Sequence, residues 1–300
     1  MPLYFDEARI RDALRIETVI EALRTAFIAQ AQGQVVNLPR SRAKLLGKSL
    51  NITAASDAHR DRYAVKIYGG GNFHIHLYDR TRGLIATCEA DWLGQLRTGA
   101  ANALAAQMMA RSQSRHVALI GAGRQAVAQL LGLKAVGLLH QVSVFARRKE
   151  QAEDFCRHMS GLLQADMHVA PSAEEAVASA DLVVTATTSE TPVFDRASIK
   201  PGTHINAMGA NAKSRIEIDP ALVQACSLIV TDDINQTRSE AGEFIALGAD
   251  FDWTRLRSLS DVIVDQKFKR EAQDITLYKS LGAGLEDLAA ASALYDLLTS

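Results

Sequence analysis

The sequence has few of the residues that build disulfide frameworks or metal sites. Its three cysteines, Cys88, Cys156 and Cys226, are odd in number and widely spaced, so we expect buried or incidental thiols. His74 and His76 alternate on a predicted strand like a pair of metal ligands, but no third ligand follows at a useful spacing. We therefore predict neither a disulfide nor a bound metal.

Long apolar runs and blocks of one charge are also missing. No uninterrupted apolar span reaches membrane length, and Asp6 and Glu7 stand where a signal peptide would carry its apolar core. The formal net charge of −1 provides no basic field for holding nucleic acid. These absences predict a cytoplasmic chain that binds neither membrane nor nucleic acid.

The chain does have enough apolar content for a large core. Its 300 residues, 48% of them hydrophobic, suit two domains better than one. A helix near residues 12–32 and strands at 50–53, 63–68, 74–78 and 85–89 predict a first sheet-bearing domain. Strands at 117–120, 142–145, 167–169, 182–187, 204–207 and 228–231 alternate with helical segments. That alternation predicts a parallel sheet covered on both faces, and hence an α/β fold.

Residues 117–131 carry the most informative pattern. An apolar run breaks into Gly121-Ala122-Gly123 and then resumes at helical spacing, with the small Ala126 where the helix packs on the strand. A strand, a tight glycine turn and a helix start bring the backbone and the positive end of the helix close to a pyrophosphate. The pattern predicts a dinucleotide site in a Rossmann-type, doubly wound sheet.

The end of the next predicted strand favours NADP(H) over NAD(H). In such folds an Asp or Glu about twenty residues after the glycines holds the ribose 2′-hydroxyl of NAD. Here the strand is followed by Arg147, Arg148 and Lys149, and no acid occurs before Glu150. Because a guanidinium grips a 2′-phosphate through charge-assisted hydrogen bonds, we favour Arg147 for this contact, with Arg148 beside it. Lys149 is interpreted as a solvated charge.

Several separate motifs, in order along almost the whole chain, resemble the ornithine cyclodeaminase/mu-crystallin family. They are Leu38-Pro-Arg40, Ala64-Val-Lys66 with Asn72, Leu96-Arg97-Thr98-Gly99-Ala100, Gly121-Ala-Gly123-Arg-Gln125-Ala126, Pro201-Gly202-Thr203-His204-Ile205-Asn206 with Gly209, and Lys279-Ser280-Leu281-Gly282 with Asp287. The resemblance implies an NAD(P)-dependent enzyme of amino or imino acids, typically a homodimer. It also implies an N-terminal α+β substrate and dimerisation domain joined to a Rossmann domain. We place these at residues 1–112 and 113–284, and assign the Ala-rich tail, about 285–300, to the first domain, although it could cap either.

Carried over residue by residue, the resemblance implies that Arg40, Lys66 and Arg97 bind the substrate carboxylate. A planar Arg fixes the orientation of that carboxylate, which makes hydride transfer efficient, and Lys66 is also a candidate to handle a proton. Arg42 lies two positions from Arg40 and would point to the same side of a strand, so it is the alternative. We expect cofactor contacts at Thr98, Gly121, Ala122, Gly123, Arg124, Gln125, Arg147, Arg148, Thr187, Thr188, Met208, Ser280 and Gly282.

The chain departs from the family pattern after Gly209. Cyclodeaminases and alanine dehydrogenases of the family carry an acid there, whereas this chain has Asn211. An amide cannot act as a general base, so Asn211 argues against ornithine cyclisation and is compatible with imine reduction. Asp219 lies eight residues further on and matches a structural Asp near a helix start. Asp232 and Asp233 follow a strand at the ligand-binding edge of the sheet, where either site lining or helix capping would explain them.

These observations together predict an NADP(H)-dependent reductase or dehydrogenase with Lys66, Arg97 and Asn211 at its catalytic centre. The first substrate choice is a cyclic imino acid such as pyrroline-2-carboxylate or piperideine-2-carboxylate, followed by a linear imino acid. Two rivals remain: a cyclodeaminase that recycles its cofactor and releases ammonia, and a non-enzymatic, mu-crystallin-like ligand-binding protein. The small number of aromatic residues, 6% of the chain, gives no support to an aromatic ligand pocket.

Overall fold

The computed structural model describes residues 1–265 and 269–300. The strands are β1 Leu3–Phe5, β2 Val35–Leu45, β3 Lys48–Asp57, β4 Arg62–Gly69, β5 Asn72–Asp79, β6 Gly83–Glu89, β7 His116–Ile120, β8 Gln141–Phe145, β9 Asp166–Val169, β10 Leu182–Thr185, β11 His204–Ala207, β12 Leu228–Thr231, β13 Leu256–Ser258 and β14 Thr276–Lys279. The α-helices are α1 Glu7–Ala13, α2 Ile16–Ala31, α3 Asp91–Met109, α4 Ala126–Ala135, α5 Lys149–Leu163, α6 Ala173–Ala178, α7 Pro220–Ala225, α8 Ile234–Glu240, α9 Gly242–Leu247, α10 Leu259–Asp265 and α11 Gly284–Thr299.

The chain forms two compact units. Unit 1 contains Met1–Ala101 and Gly282–Ser300, and unit 2 contains Asn102–Leu281. These limits differ from the sequence-based boundaries at residues 112 and 284, because the first division falls inside α3. Unit 2 is thus an insertion between two parts of unit 1.

Unit 1 is built on a six-stranded sheet in the order β1-β6-β5-β4-β3-β2. β1 pairs parallel to β6, and the other neighbours are antiparallel. α11 packs against α2 and against β3 and β4. The register of edge strand β2 shifts between Leu38 and Ser41, around Pro39, which has no N–H to donate. Such a bulge bends the strand and changes the direction of the next side chain, which here is Arg40.

Unit 2 is an eight-stranded parallel sheet in the order β13-β12-β14-β11-β10-β7-β8-β9. Alternate residues of β7 enter two different cores. Val117 and Leu119 pack in one core, and Ala118 and Ile120 pack in the other. Both faces of the sheet are therefore buried, as expected of a doubly wound fold.

The chain order reverses between β7 and β10. From β7 the sheet grows to β8 and β9 on one side and to β10 and β11 on the other. Ligands of open α/β sheets bind outside the carboxyl ends of the strands at such a switch point. The glycine turn that begins at Gly121 follows β7 and lies at this position.

The sequence predicts no disulfide and no membrane-spanning helix. Cys88, Cys156 and Cys226 are buried free thiols, and burial raises the pKa of Cys88 and of Cys226 to about 12. Those two thiols stay protonated at neutral pH. Within the described ranges, no helix combines the length and the hydropathy needed to cross a bilayer.

Candidate active site

Lys66 lies in the middle of β4 and is only 5% exposed. It is opposite Thr53 on β3, and its ammonium donates to Asp287 Oδ1 on α11 at 3.2 Å. The Thr53 hydroxyl donates to the other carboxylate oxygen, Asp287 Oδ2, at 3.1 Å. A lysine is tolerated at this buried position because a carboxylate on the packed helix compensates its charge.

Arg97 joins this cluster from α3. Its Nη1 lies 2.6 Å from Glu286 Oε2, and its Nε lies 3.0 Å from Asp287 Oδ1. Both acids belong to the first turn of α11 and are fully buried. Glu286, Asp287 and Thr53 were not assigned a role from the sequence. Acids in the first helical turn are common for a local reason, favourable interaction with the helix dipole, so they gave no signal of a buried cluster.

Arg40, rather than Arg42, reaches the cluster. Arg40 Nη2 donates to the carbonyl of Gly282 at 2.9 Å, whereas Arg42 Nε donates to Asn51 Oδ1 on an exposed part of the sheet. Gly282 has φ +82°, and a Cβ there would lie 2.6 Å from Arg97 Nη1. Glycine is therefore required at 282 for both its backbone conformation and the space that Arg97 occupies.

Burial and neighbouring cations lower the pKa of Lys66 to about 8. Burial is the largest cause of the lowered pKa. The positive charges of Arg97 and Arg40 lower the pKa further, whereas the negative charge of Asp287 raises it. Burial acts to raise the pKa of Asp287, but the charges of Lys66 and Arg97 outweigh it and hold that pKa below its usual value. The three cations and the two carboxylates leave one positive charge. Such a cluster can hold one further carboxylate and can exchange a proton near neutral pH.

The glycine turn of unit 2 has the geometry that a pyrophosphate requires. Gly121 has φ +104°, and a Cβ there would lie 2.6 Å from the carbonyl of Ala186. Its N–H donates to the carbonyl of Phe145 at 2.8 Å, which joins the ends of β7 and β8. A Cβ at Gly123 would instead point into open space. Gly121 is therefore needed for the turn itself, and Gly123 leaves room for a ligand against the start of α4.

A pocket adjoins this turn where a dinucleotide's adenosine half is expected. It is lined by Ala122, Arg148, Glu150, Gln151, Asp154 and Phe155. Gln151 donates to the Ala122 carbonyl at 2.8 Å and accepts from Arg148 Nη2 at 2.9 Å, so the turn and the guanidinium are linked. Arg147 is exposed beside the pocket, and Lys149 is exposed and 3.5 Å from Glu153. The residues present fit an NAD(P) group.

The other expected cofactor residues lie in both units. Thr98 is buried on α3, where its hydroxyl donates to the Gly94 carbonyl at 2.8 Å. Thr187 and Met208 follow β10 and β11 at the carboxyl edge of the sheet, and Ser280 follows β14. Thr188 and Arg124 are exposed, whereas Gln125 is the N-cap residue of α4. Asn211 is half-buried in the loop after β11.

Three further acids and one histidine that the sequence singled out make structural contacts. Asp219 and Asp233 cap α7 and α8, accepting from Ala221 N and Gln236 N at 2.8 Å each. Asp232 is buried and accepts the Leu281 N–H at 2.7 Å. His76 Nδ1 lies 3.1 Å from the Thr87 hydroxyl. In the part of the chain that the structure describes, no three His, Cys, Asp or Glu residues are grouped to hold a metal ion.

Comparison with known proteins gives consistent matches. Ketimine reductase mu-crystallin from Mus musculus is 28% identical over 317 residues, covering 100% of this chain and 98% of that protein. The solved Δ1-pyrroline-2-carboxylate reductase of Thermococcus litoralis, in complex with NADH and L-proline, has a TM-score of 0.93 at 26% identity and covers 98% of this chain and 97% of its own. The iminosuccinate reductase of Paracoccus denitrificans with NAD⁺ has a TM-score of 0.91 at 26% identity, covering 99% and 96%.

These likenesses confirm the predicted fold, a Rossmann-type parallel sheet with a separate α+β sheet domain. The family model for ornithine cyclodeaminase/mu-crystallin proteins matches residues 4–300. The chain therefore belongs to the ornithine cyclodeaminase/mu-crystallin family.

Proposed function

We propose that this chain is an NADP(H)-dependent reductase that converts a small imino acid with one carboxylate to the L-amino acid. The cation cluster of unit 1 carries the proposal, because its three cations and two carboxylates leave one positive charge and one of the cations is a buried lysine with a pKa of about 8. A monocarboxylate balances that charge, whereas a dicarboxylate brings a second negative charge into a buried site. The relatives named above, a ketimine reductase and a Δ1-pyrroline-2-carboxylate reductase, support a cyclic ketimine. Pyrroline-2-carboxylate or piperideine-2-carboxylate ranks first, and a linear imino acid second.

Imine reduction adds a hydride to carbon and a proton to nitrogen. A bound reduced nicotinamide supplies the hydride. Arg40 and Arg97 hold the substrate carboxylate, which fixes the orientation of the adjacent carbon. Lys66 holds a proton for the imine nitrogen, and its lowered pKa makes that transfer favourable near neutral pH.

Asn211 supports reduction over cyclodeamination. A cyclodeaminase must remove a proton from an amine and stabilise the developing iminium, and an amide does neither. Imine reduction runs in the opposite direction and needs a proton donor rather than a base. Lys66 satisfies that need without a carboxylate at 211.

The first test is a turnover assay. The purified chain is supplied with NADPH or NADH and with pyrroline-2-carboxylate, piperideine-2-carboxylate or iminosuccinate, and loss of absorbance by the reduced cofactor is followed. We expect turnover of a cyclic imino acid, and little or no ammonia from L-ornithine with oxidised cofactor. Release of ammonia and formation of proline from ornithine would instead establish a cyclodeaminase. Tight binding of an aromatic ligand with no turnover would establish a ligand-binding protein.

Arg97→Met tests the carboxylate clamp. Removing one partner of a buried charge pair costs about 2–5 kcal/mol, so kcat/KM should fall roughly 30- to 4000-fold. Arg42→Met is the matched control, because Arg42 is an exposed arginine outside the cluster. The double variant Arg97→Met with Glu286→Gln also removes the carboxylate that would lose Arg97 as its partner, and so protects the fold. Unchanged kinetics in a folded double variant would remove Arg97 from the site.

The proposed preference for NADP(H) rests on Arg147, which the sequence favours, and on Arg148. Arg148 lines the pocket next to Ala122 and is held by Gln151, which suits a 2′-phosphate. Glu150 and Asp154 also line the pocket and oppose a phosphate, while both named solved relatives contain NADH or NAD⁺. A direct comparison of kcat/KM with the two cofactors therefore decides the preference.

Charge reversal at neighbouring positions gives a sharper test. Arg148→Asp and Arg147→Asp should each weaken use of NADPH by roughly ten- to a hundredfold if that arginine contacts the 2′-phosphate. Lys149→Asp makes the same change of charge at an exposed position outside the pocket, and we expect less than a threefold effect, about the scale of an exposed ion pair. An unaltered protein that prefers NADH would refute the NADP(H) assignment.

A further inference from the structure

A buried charge cluster lies beneath the carboxyl ends of the β10 and β11 strands. Its members are Glu217, Glu243 and Lys279, none of them more than 1% exposed. Lys279 Nζ donates to Glu243 Oε1 at 3.2 Å and to the Ala210 carbonyl at 2.7 Å. The Glu217 N–H donates to Glu243 Oε1 at 3.1 Å. The cluster therefore connects β14, α9 and the loop that follows β11.

The Glu217 carboxylate joins two loops. Its Oε1 accepts the N–H of Thr187 at 2.7 Å and the hydroxyl of Thr187 at 2.8 Å. Its Oε2 accepts the N–H of Ala210 at 2.7 Å. Thr187 belongs to the loop after β10, and Ala210 immediately precedes Asn211 in the loop after β11. One side chain thus sets the separation of the two strand ends.

The loops after β10 and β11 pack closely against each other. A Cβ at Gly209 would lie 2.2 Å from the Thr187 carbonyl and 2.6 Å from Glu217 Oε1. A Cβ at Gly121 would lie 3.1 Å from the methyl group of Thr187. The contacts therefore run from the glycine turn through Thr187 to Glu217 and on to Ala210.

Burial of two carboxylates with one ammonium is costly. Burial raises the pKa of Glu217, although Lys279 and the donors of Thr187 and Ala210 act in the opposite direction. Well-packed apolar side chains commonly replace buried ion pairs without loss of stability, so stability is a weak reason for such a cluster. Oriented acceptors, in contrast, fix the position of specific backbone N–H groups.

We propose that Glu217 is a positioning residue for the reduction proposed above: it fixes Thr187 in the loop after β10 and the backbone N–H of Ala210, one residue before Asn211. This inference rests on the proposed function. Glu217 contacts neither substrate nor cofactor in this scheme. It acts by holding two loops at the switch point of the sheet, where small displacements reduce the rate of hydride transfer.

The experiment compares Glu217→Gln with Glu243→Gln. Both remove one carboxylate from the same buried cluster, but only Glu217 accepts from the two loops. Amide hydrogen exchange of the native protein is read at Thr187 and Ala210. We expect Glu217→Gln to accelerate exchange there by roughly 10- to 100-fold, since Gln retains one carbonyl acceptor for three donors. Glu243→Gln should change exchange at these two amides by less than threefold.

Steady-state kinetics give the second readout. Because Arg40 and Arg97 bind the imino acid, Glu217→Gln should lower kcat at least tenfold with little change in KM for that substrate. Thr187→Val removes the hydroxyl that donates to Glu217 and accepts from the Ser189 N–H, and it tests the proposal if Glu217→Gln does not fold. It should accelerate exchange at Ala210 and lower kcat without a change in KM.

Equal exchange in the two glutamine variants, or an unchanged kcat, would overturn the proposal. If the unaltered protein reduces no imino acid, the proposed function fails, while the exchange data still decide the role of Glu217.

Discussion

Lys66 is a lysine whose proton is available at physiological pH. Burial lowers its pKa from 10.5 to about 8, so the ammonium form predominates below pH 8 and is lost above it. If this ammonium protonates the imine nitrogen, kcat/KM for the imino acid falls about tenfold per pH unit above pH 8. The measurement is kcat/KM from pH 6 to pH 10, with the protonation of the imine itself titrated separately.

Two substitutions check that assignment. Lys66→Arg keeps the positive charge but titrates far above this range, so the fall near pH 8 should disappear and the rate should be low at every pH. Lys44→Arg makes the same exchange at an exposed position and should leave the profile unchanged. A profile that is flat through pH 8 in the unaltered protein, or a fall that persists in Lys66→Arg, would contradict the proposed role of Lys66.

Residue identities in the site were only partly predictable. Lys66, Arg97 and Arg40 were placed together from motif resemblance, and the structure brings their side chains to one cluster. Choosing between Arg40 and Arg42 required knowledge of the bulge at Pro39, and a simple alternation of strand side chains does not predict that bulge. Glu286 and Glu217 were missed because their partners are distant in sequence, while their local surroundings resemble an ordinary helix start and loop.

At the scale of elements, the interior strands were easier to predict than the edges. Strands buried on both faces, such as β7 and β10, are continuous apolar runs and were found. The bounds of β2 were not predicted, although Arg40 and Arg42 were placed on a strand, because β2 is an edge strand containing Pro39 and several cations. β14 was missed because it is short and ends in Lys279. β10 was expected to reach residue 187 but ends at Thr185, since the N–H of Thr187 donates to Glu217.

The hydrogen bonds between β11 and β14 predict a pH dependence of stability. His204 is fully buried: its Nδ1 lies 2.9 Å from the Thr276 hydroxyl, and its Nε2 lies 3.0 Å from Asn206 Oδ1. Asn206 Nδ2 donates to the Asn102 carbonyl at 3.0 Å, which orients the amide oxygen toward the imidazole. Burial, with Arg270 nearby, lowers the pKa of His204 from 6.5 to about 3.

The sign of the effect follows from the lowered pKa. Below pH 6.5 the unfolded chain binds a proton that the folded chain does not, so this residue reduces stability as the pH falls toward 3. Between pH 7.5 and pH 5 the contribution is about 2 kcal/mol. Urea unfolding of His204→Gln should show a pH dependence weaker by that amount. His140→Gln, at an exposed histidine, should not, and equal pH dependence in all three proteins would contradict the assignment.

At the scale of the whole molecule, we propose that the chain forms a homodimer through the β2 edge of unit 1. Val36 and Leu38 on β2 are 57% and 55% exposed, and Leu46, in the turn that follows, is 95% exposed. Neighbouring exposed apolar side chains on an edge strand favour pairing with another chain. Light scattering should give twice the chain mass of 32.5 kDa.

Leu38→Glu should shift this equilibrium toward the monomer, because a carboxylate on the paired surface would be desolvated. Leu162→Glu is the matched control, since Leu162 is 54% exposed on α5 of unit 2. A monomeric unaltered protein would refute the dimer. Equal dissociation by both substitutions would show that another surface is involved.

The position of α11 in the chain has a consequence for how the protein is made. The ribosome completes all of unit 2 before it synthesises α11, yet α11 belongs to unit 1 and carries both Glu286 and Asp287. Until α11 docks, Lys66 and Arg97 have no compensating carboxylates from it, and the interior around them is costly to close. The growing chain can therefore finish unit 2 early, whereas unit 1 acquires its final charge balance only after α11 leaves the ribosome.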